Sequence, residues 1–213
     1  MELPLFPLHT VLFPGRPLPL HVFEQRYRDM LRDCLASDGR FGVVAIRSGR
    51  EVGDDAELFD VGTIGEVEQV EQLEDGRANV VIRGVERFRI GRVLTDRSYL
   101  RALAEPLAER PLCRRDLNHA QALRNLLVRY LGALGAPRQM LEQLPTAPQR
   151  LVWLAASTLQ VELPELQRLL EIDDTGQRLA ATLQMLRRES SIARHFGTVA
   201  SLRPAGPGGA DLN

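Results

Sequence analysis

Pro4-Leu5-Phe6-Pro7-Leu8, Val11-Leu12-Phe13-Pro14-Gly15, Leu18-Pro19-Leu20 and Phe23-Glu24-Gln25-Arg26-Tyr27-Arg28 open the chain, and the order of these short blocks is more specific than anything that follows. Prolines at 4, 7, 14, 17 and 19 remove backbone donors and fix φ, so the segment cannot be helical and cannot run for long as a central strand. It reads as an extended edge with breaks. Its apolar residues, among them Leu3, Leu5, Phe6, Leu12 and Phe13, need a surface to lie on. The edge is therefore expected to be pinned against a core.

Two hundred and thirteen residues, 44% hydrophobic and 26% charged, suffice for a core in one domain or two small ones. A formal net charge of −1 supplies no general attraction to nucleic acid or to an anionic membrane. No apolar run is long enough to span a bilayer, and the N-terminus lacks the layout of a secretory signal, so the cytoplasm is the expected location. Cys34 and Cys113 lie far apart and outside metal-ligand spacing; Cys34 falls on an apolar helical face, where a buried thiol is expected. All 27 basic residues are arginine and none is lysine. A P-loop and a Schiff-base enzyme each need a lysine, so neither is encoded. The four histidines form no His-x-x-x-His pair, and no Gly-x-Ser-x-Gly elbow is present. Asp173-Asp174 reads as a helix cap without further ligands at calcium-loop spacing. No catalytic residue, cofactor or metal site is assigned.

Along the chain, Tyr27, Met30, Leu31, Cys34 and Leu35 form an amphipathic helix over residues 24–36. Phe41 to Ile46 is a short buried strand, and Arg47 to Glu57 is expected as a loop. In residues 61–73, Val61, Ile64, Val67, Val70 and Leu73 recur every three residues; Gly62 and Gly65 favour a strand, with a bulge hidden in the spacing. Glu74-Asp75-Gly76 then makes a hairpin turn, and residues 79–82, 85–93 and 99–104 supply further strands. About six strands carrying one helix suggest a small closed or nearly closed barrel.

From Pro111 the apolar period becomes helical. Leu117, Ala120, Leu123, Leu127, Tyr130, Leu131 and Leu134 form one stripe; a second helix is expected to start at Thr146 through a Thr146-x-x-Gln149 capping box. A third opens at Leu163-Pro164-Glu165, and a fourth follows Asp173-Asp174. The predicted organisation is α+β: a strand-rich subdomain over 1–107, a helical bundle over 108–200 and a disordered Gly/Pro-rich tail over 201–213.

The opening blocks, together with Gly62-Thr63-Ile64-Gly65, Asp75-Gly76, Val80-Val81-Ile82-x-Gly84-Val85-x-Arg87-Phe88-Arg89-Ile90 and Tyr99-Leu100-Arg101-Ala102, resemble the N-terminal, substrate-binding domain of Lon proteases. The resemblance covers about residues 3 to 190, by motif through residue 106 and by helix pattern beyond. It implies a PUA-like β-barrel followed by a helical bundle, and a non-catalytic module that recognises unfolded polypeptide or a protein partner, an ATP-dependent protease among the candidates, in protein quality control. The Lon peptidase's Ser-Lys dyad cannot be present without lysine. Phe13, Arg16, Pro17 and His21 on the proline-rich edge are the candidate polypeptide contacts. An RNA-binding PUA-like protein is the alternative, resting on Arg83, Arg87, Arg89 and Arg92, with Arg87 and Arg89 expected on one strand face. Without interleaved exposed aromatics that face reads instead as solvated, and nucleic acid is disfavoured. The helical stripes are accounted for by packing within the bundle, so oligomeric state is left open.

Overall fold

The computed structural model describes residues 1–49 and 56–200; the expected tail over 201–213 and most of the expected loop over 47–57 lie outside them. The strand-rich half contains β1 (Glu2–Leu8), β2 (Pro17–Val22), α1 (Gln25–Leu35), β3 (Arg40–Ser48), β4 (Glu57–Gln72), β5 (Ala78–Leu94) and β6 (Arg101–Pro106). The helical half contains α2 (Leu117–Ala133), α3 (Arg138–Glu142), α4 (Pro148–Thr158), α5 (Leu163–Glu171) and α6 (Thr175–Ala200). The six strands form one mixed sheet in the order β2-β5-β4-β3-β1-β6. Because β6 also pairs with β5, the pairings run in a closed ring through β5, β4, β3, β1 and β6, and β2 hangs on β5 as the free edge.

The proline-rich opening is thus two strands, and only the second is an edge. β1 lies inside the ring, contrary to the expectation for a proline-containing segment. It is tolerated there because it changes partner midway: Glu2, Leu3 and Pro4 pair with β6, whereas Leu5 to Leu8 pair in parallel with β3. Neither proline has to serve two ladders at once. The segments expected over 79–82 and 85–93 are one continuous strand, β5.

The three-residue spacing in β4 does conceal irregular register. Its pairing with β5 slips between Thr63 and Gly65 and again between Val67 and Gln69. Glycine in these strands makes room for Phe88, which is fully buried. A Cβ on Gly42 would stand 2.6 Å from the Phe88 ring, and one on Gly62 would stand 2.4 Å from the Val43 carbonyl oxygen. The turn at Gly76 has φ +80° and closes with Gly76 N–H donating to the Leu73 carbonyl at 2.9 Å.

The chain starts α4 one residue later than the capping box predicts: Ala147 is the N-cap and Pro148 occupies the first turn. Asp174 does cap α6, accepting the Gln177 N–H at 2.9 Å. The short α3 was not visible in the periodicity, since none of its five residues is buried.

The helices pack on the strands around an unusual core. One apolar cluster joins Phe13 and Val61 of the strand half to Leu123, Leu127, Trp153, Leu169, Leu179 and Leu186 of the helices. At its boundary Arg87 on β5 and Arg178 on α6 are 1% and 0% exposed. Arg87 donates to the carbonyls of Leu170 at 2.8 Å and Ile172 at 3.2 Å, and pairs with Glu109 and Asp173 at 3.2 Å each. Arg178 pairs with Glu109 at 3.0 Å, donates to the Leu169 and Ile172 carbonyls, and places its guanidinium 3.7 Å from the Trp153 ring centroid. Burial pushes the Arg178 pKa down to about 10 against the opposing pull of Glu109, so it keeps its charge at neutral pH. Gln167 adds a bond from α5 to the Val61 carbonyl at 2.9 Å.

Removing one partner of such a buried set strands the others without solvent. Arg178→Ala is expected to cost about 3–5 kcal/mol in urea denaturation. Arg138→Ala, whose side chain is 92% exposed beside Glu142, should stay within about 0.5 kcal/mol of the parent.

Candidate functional site

Where β2 meets β5 the backbone makes a bulge that sets the position of Arg16. Gly15, at φ +76°, donates to the Gly84 carbonyl at 2.7 Å, and Gly84 N–H returns a bond to the Arg16 carbonyl at 2.9 Å. Two residues on one strand thus face one on the other, with glycine in the left-handed position. A Cβ on Gly84 would meet the Phe13 carbonyl oxygen at 2.4 Å, so the close approach also requires glycine there. The Arg16 carbonyl points at β5, so by strand alternation Leu18 and Leu20 turn their backbone groups to the ladder and Pro17 and Pro19 turn theirs outward. The free edge of β2 therefore lacks donors at two alternate positions.

Beside this bulge, between the sheet and α4, lies a cleft of about 540 Å³. Pro14, Gly15 and Arg16 form one side; Arg83, Gly84 and Val85 of β5 form the floor; Pro145, Arg150, Trp153 and Leu154 form the opposite side. Trp153 is the single tryptophan of the chain and is 5% exposed. Phe13 lies against it with ring centroids 5.7 Å apart.

The three arginines differ in their partners. Arg83 pairs with Glu68 and donates to the Gly15 carbonyl at 3.0 Å. Arg16 is half-buried, and its pKa is lowered by burial and by repulsion from Arg83. Among the described residues no carboxylate is within ion-pair distance of Arg16 or of Arg150. The lining contains no serine, cysteine, histidine or carboxylate, so it offers apolar contact and positive charge but no nucleophile or general base.

The four residues singled out on the opening segment do not form one surface. Phe13 is 2% exposed and belongs to the core, so it supports the cleft wall and presents no face of its own. Arg16 lines the cleft, and Pro17 is exposed at the start of β2. His21 lies on the other side of β2, where its Nδ1 is 2.8 Å from the Asn79 Oδ1 and its ring stacks with the half-exposed Phe23. It borders a shallow groove with Pro19, Leu20 and Val70. The arginine cluster of β5 is also divided: Arg87 is buried among helices, Arg83 faces the cleft, and Arg89 and Arg92 are exposed. Arg87 and Arg89 do not share an accessible face, which removes the arrangement on which RNA binding was considered.

Arg150 and Trp153 were not singled out from the sequence, where they read as ordinary residues of a helix. Only the lone tryptophan on an otherwise aliphatic stripe gave a signal. Among the described residues no group of three or more His, Cys, Asp or Glu could hold a metal ion. No helix among them is long and apolar enough to cross a membrane.

A family model described as the ATP-dependent protease La (LON) substrate-binding domain matches residues 2–188. Lon protease of Anaeromyxobacter dehalogenans is 28% identical over 201 residues, covering 90% of this chain and 24% of the relative. Lon protease of Xanthomonas oryzae pv. oryzae is 31% identical over 190 residues, covering 84% and 22%. The chain therefore spans about a quarter of the length of these curated relatives. The crystal structure of a Lon N-terminal domain protein from Xanthomonas campestris superposes with a TM-score of 0.66 at 29% identity, covering 86% of this chain and 98% of that one. The N-terminal domain of Mycobacterium avium complex Lon protease gives a TM-score of 0.73 at 19% identity, over 88% and 98%, and supports the fold alone.

Thiol chemistry is confined by position. Cys34 is buried, its pKa pushed up to about 12 chiefly by burial, whereas Cys113 is exposed; both are free. An aromatic disulfide reagent at pH 8 should modify one thiol in the native protein and two after denaturation. Two fast-reacting native thiols would contradict this placement.

Proposed function

Because the chain belongs to the family of Lon substrate-binding domains, matched over residues 2–188, we propose that it is a non-catalytic module that holds unfolded polypeptide or a segment of a protein partner. The observation that carries this reading is the cleft between β5 and α4. It joins apolar walls to Arg16 and Arg150, which lack carboxylate partners among the described residues, a surface suited to extended chain and not to bond cleavage. The closed ring of strands over residues 1–107 is taken as a PUA-like barrel and the helices over 108–200 as a bundle subdomain, with the cleft at their junction. Work as an adaptor in cytoplasmic protein quality control, passing clients to an ATP-dependent protease, is the role this module would fill.

Fluorescence anisotropy of a labelled, unfolded, apolar-rich polypeptide tests the proposal, run beside a structured RNA at near-physiological salt. The polypeptide should bind with a Kd on the order of micromolar, and the RNA should not. RNA binding without polypeptide binding, or silence on both, would overturn it.

A further inference from the structure

Resting on the polypeptide-binding reading, we propose that the cleft selects extended segments in which an acidic side chain is followed two residues later by an apolar one, the carboxylate meeting Arg16 and Arg150 and the apolar group lying on Val85 and Leu154. Arg83 is already answered by Glu68 and spends another donor on the Gly15 carbonyl. Among the described residues Arg16 has no such answer, although burial and Arg83 both act against its charge. A half-buried cation without a partner is costly, and an arriving carboxylate would relieve that cost while forming charge-assisted hydrogen bonds.

The apolar half of the pattern follows from the floor. Val85 is 40% exposed and directly follows Gly84, the residue whose N–H bonds the Arg16 carbonyl. An unpaired cation and an uncovered apolar side chain are therefore near neighbours across one bulge. In an extended chain, side chains on the same face are two residues and about 6.6–6.8 Å apart. One such pair can serve both features, with the intervening side chain turned to solvent. The outward-facing Pro17 and Pro19 nitrogens leave the edge of β2 poor in donors, so recognition falls to side chains and not to strand addition. A continuous polyanion fits less well, because Glu68, which does not line the cleft but pairs with Arg83 of its floor, would repel the phosphates flanking any one bound at Arg16.

The test uses the full chain and labelled unstructured peptides that differ at two positions: Glu-x-Leu, Gln-x-Leu and Glu-x-Ser in one host sequence. The parent protein should bind Glu-x-Leu about tenfold more tightly than either alternative. Arg16→Gln with Arg150→Gln should reduce the Glu-over-Gln preference to about twofold or less, whereas Arg89→Gln, an exposed site outside the cleft, should leave it intact. Arg16→Glu with Arg150→Glu should transfer the preference to a Lys-x-Leu peptide, a gain that loss of folding cannot produce. Equal binding of the Glu and Gln peptides by the parent would overturn the selectivity while leaving polypeptide binding in place. Absence of binding to every peptide would overturn both readings. Single-stranded RNA binding abolished by the Arg16 substitution, without peptide discrimination, would reassign the cleft to phosphate.

Discussion

Two guanidinium groups almost without access to water, those of Arg87 and Arg178, meet around one carboxylate and one indole, and this contact fixes the strand half to the helical half. Arg87 comes from β5, Arg178 from α6, Glu109 from the connection between them and Trp153 from α4. Burying two cations together is unfavourable unless most of their donors find acceptors, and of these Arg87 Nε has only its ion-pair contact with Glu109. Here the carbonyls of Leu169, Leu170 and Ile172 at the end of α5, together with Asp173, take up donors that water would otherwise satisfy. Apolar packing alone would allow the helices to slide over the sheet, because it has no direction. Hydrogen bonds from planar guanidinium groups to particular carbonyls do not allow that.

The cleft depends on the same contact. Trp153 is in contact with both Arg178 and Phe13, and Phe13 lies two residues before Gly15 in the bulge that carries Arg16. The bulge and α4 are thereby placed opposite each other by groups that line neither the mouth nor the floor. A change at Arg87 or Arg178 would be felt as a change in cleft width, even though neither residue lines the cleft.

Much of the architecture could be read from local pattern. The α1 helix, the bulged β4, the turn at Gly76 and the long stripe of α2 follow from periodicity and turn chemistry acting within a few residues. Three features escaped for one reason: they are settled by partners distant in the chain. The prolines of β1 suit a central position only because its ladder passes from β6 to β3. Arg87 looks like a surface residue in an alternating strand, since three of its acceptors, Leu170, Ile172 and Asp173, lie more than 80 positions away and the β5 register slips just before it. The cleft likewise joins a loop near residue 15 to a helix near residue 150. Arg16 was legible from its proline and glycine neighbours, but Arg150 and Trp153 became significant only once that loop stood opposite them.

The outward prolines of β2 bear on release as much as on recognition. A strand edge with a full row of amides grips an unfolded chain along its backbone, and such ladders grow one residue at a time into a contact that is slow to undo. With Pro17 and Pro19 in alternate positions, a chain lying along β2 meets rings where it would need donors, and the ladder cannot extend. Any grip must then come from a few side-chain contacts, each broken independently and quickly. In the polypeptide-binding role proposed above, such an edge would let bound chain go without the module itself unfolding, and it would offer an aggregating chain no ladder to extend.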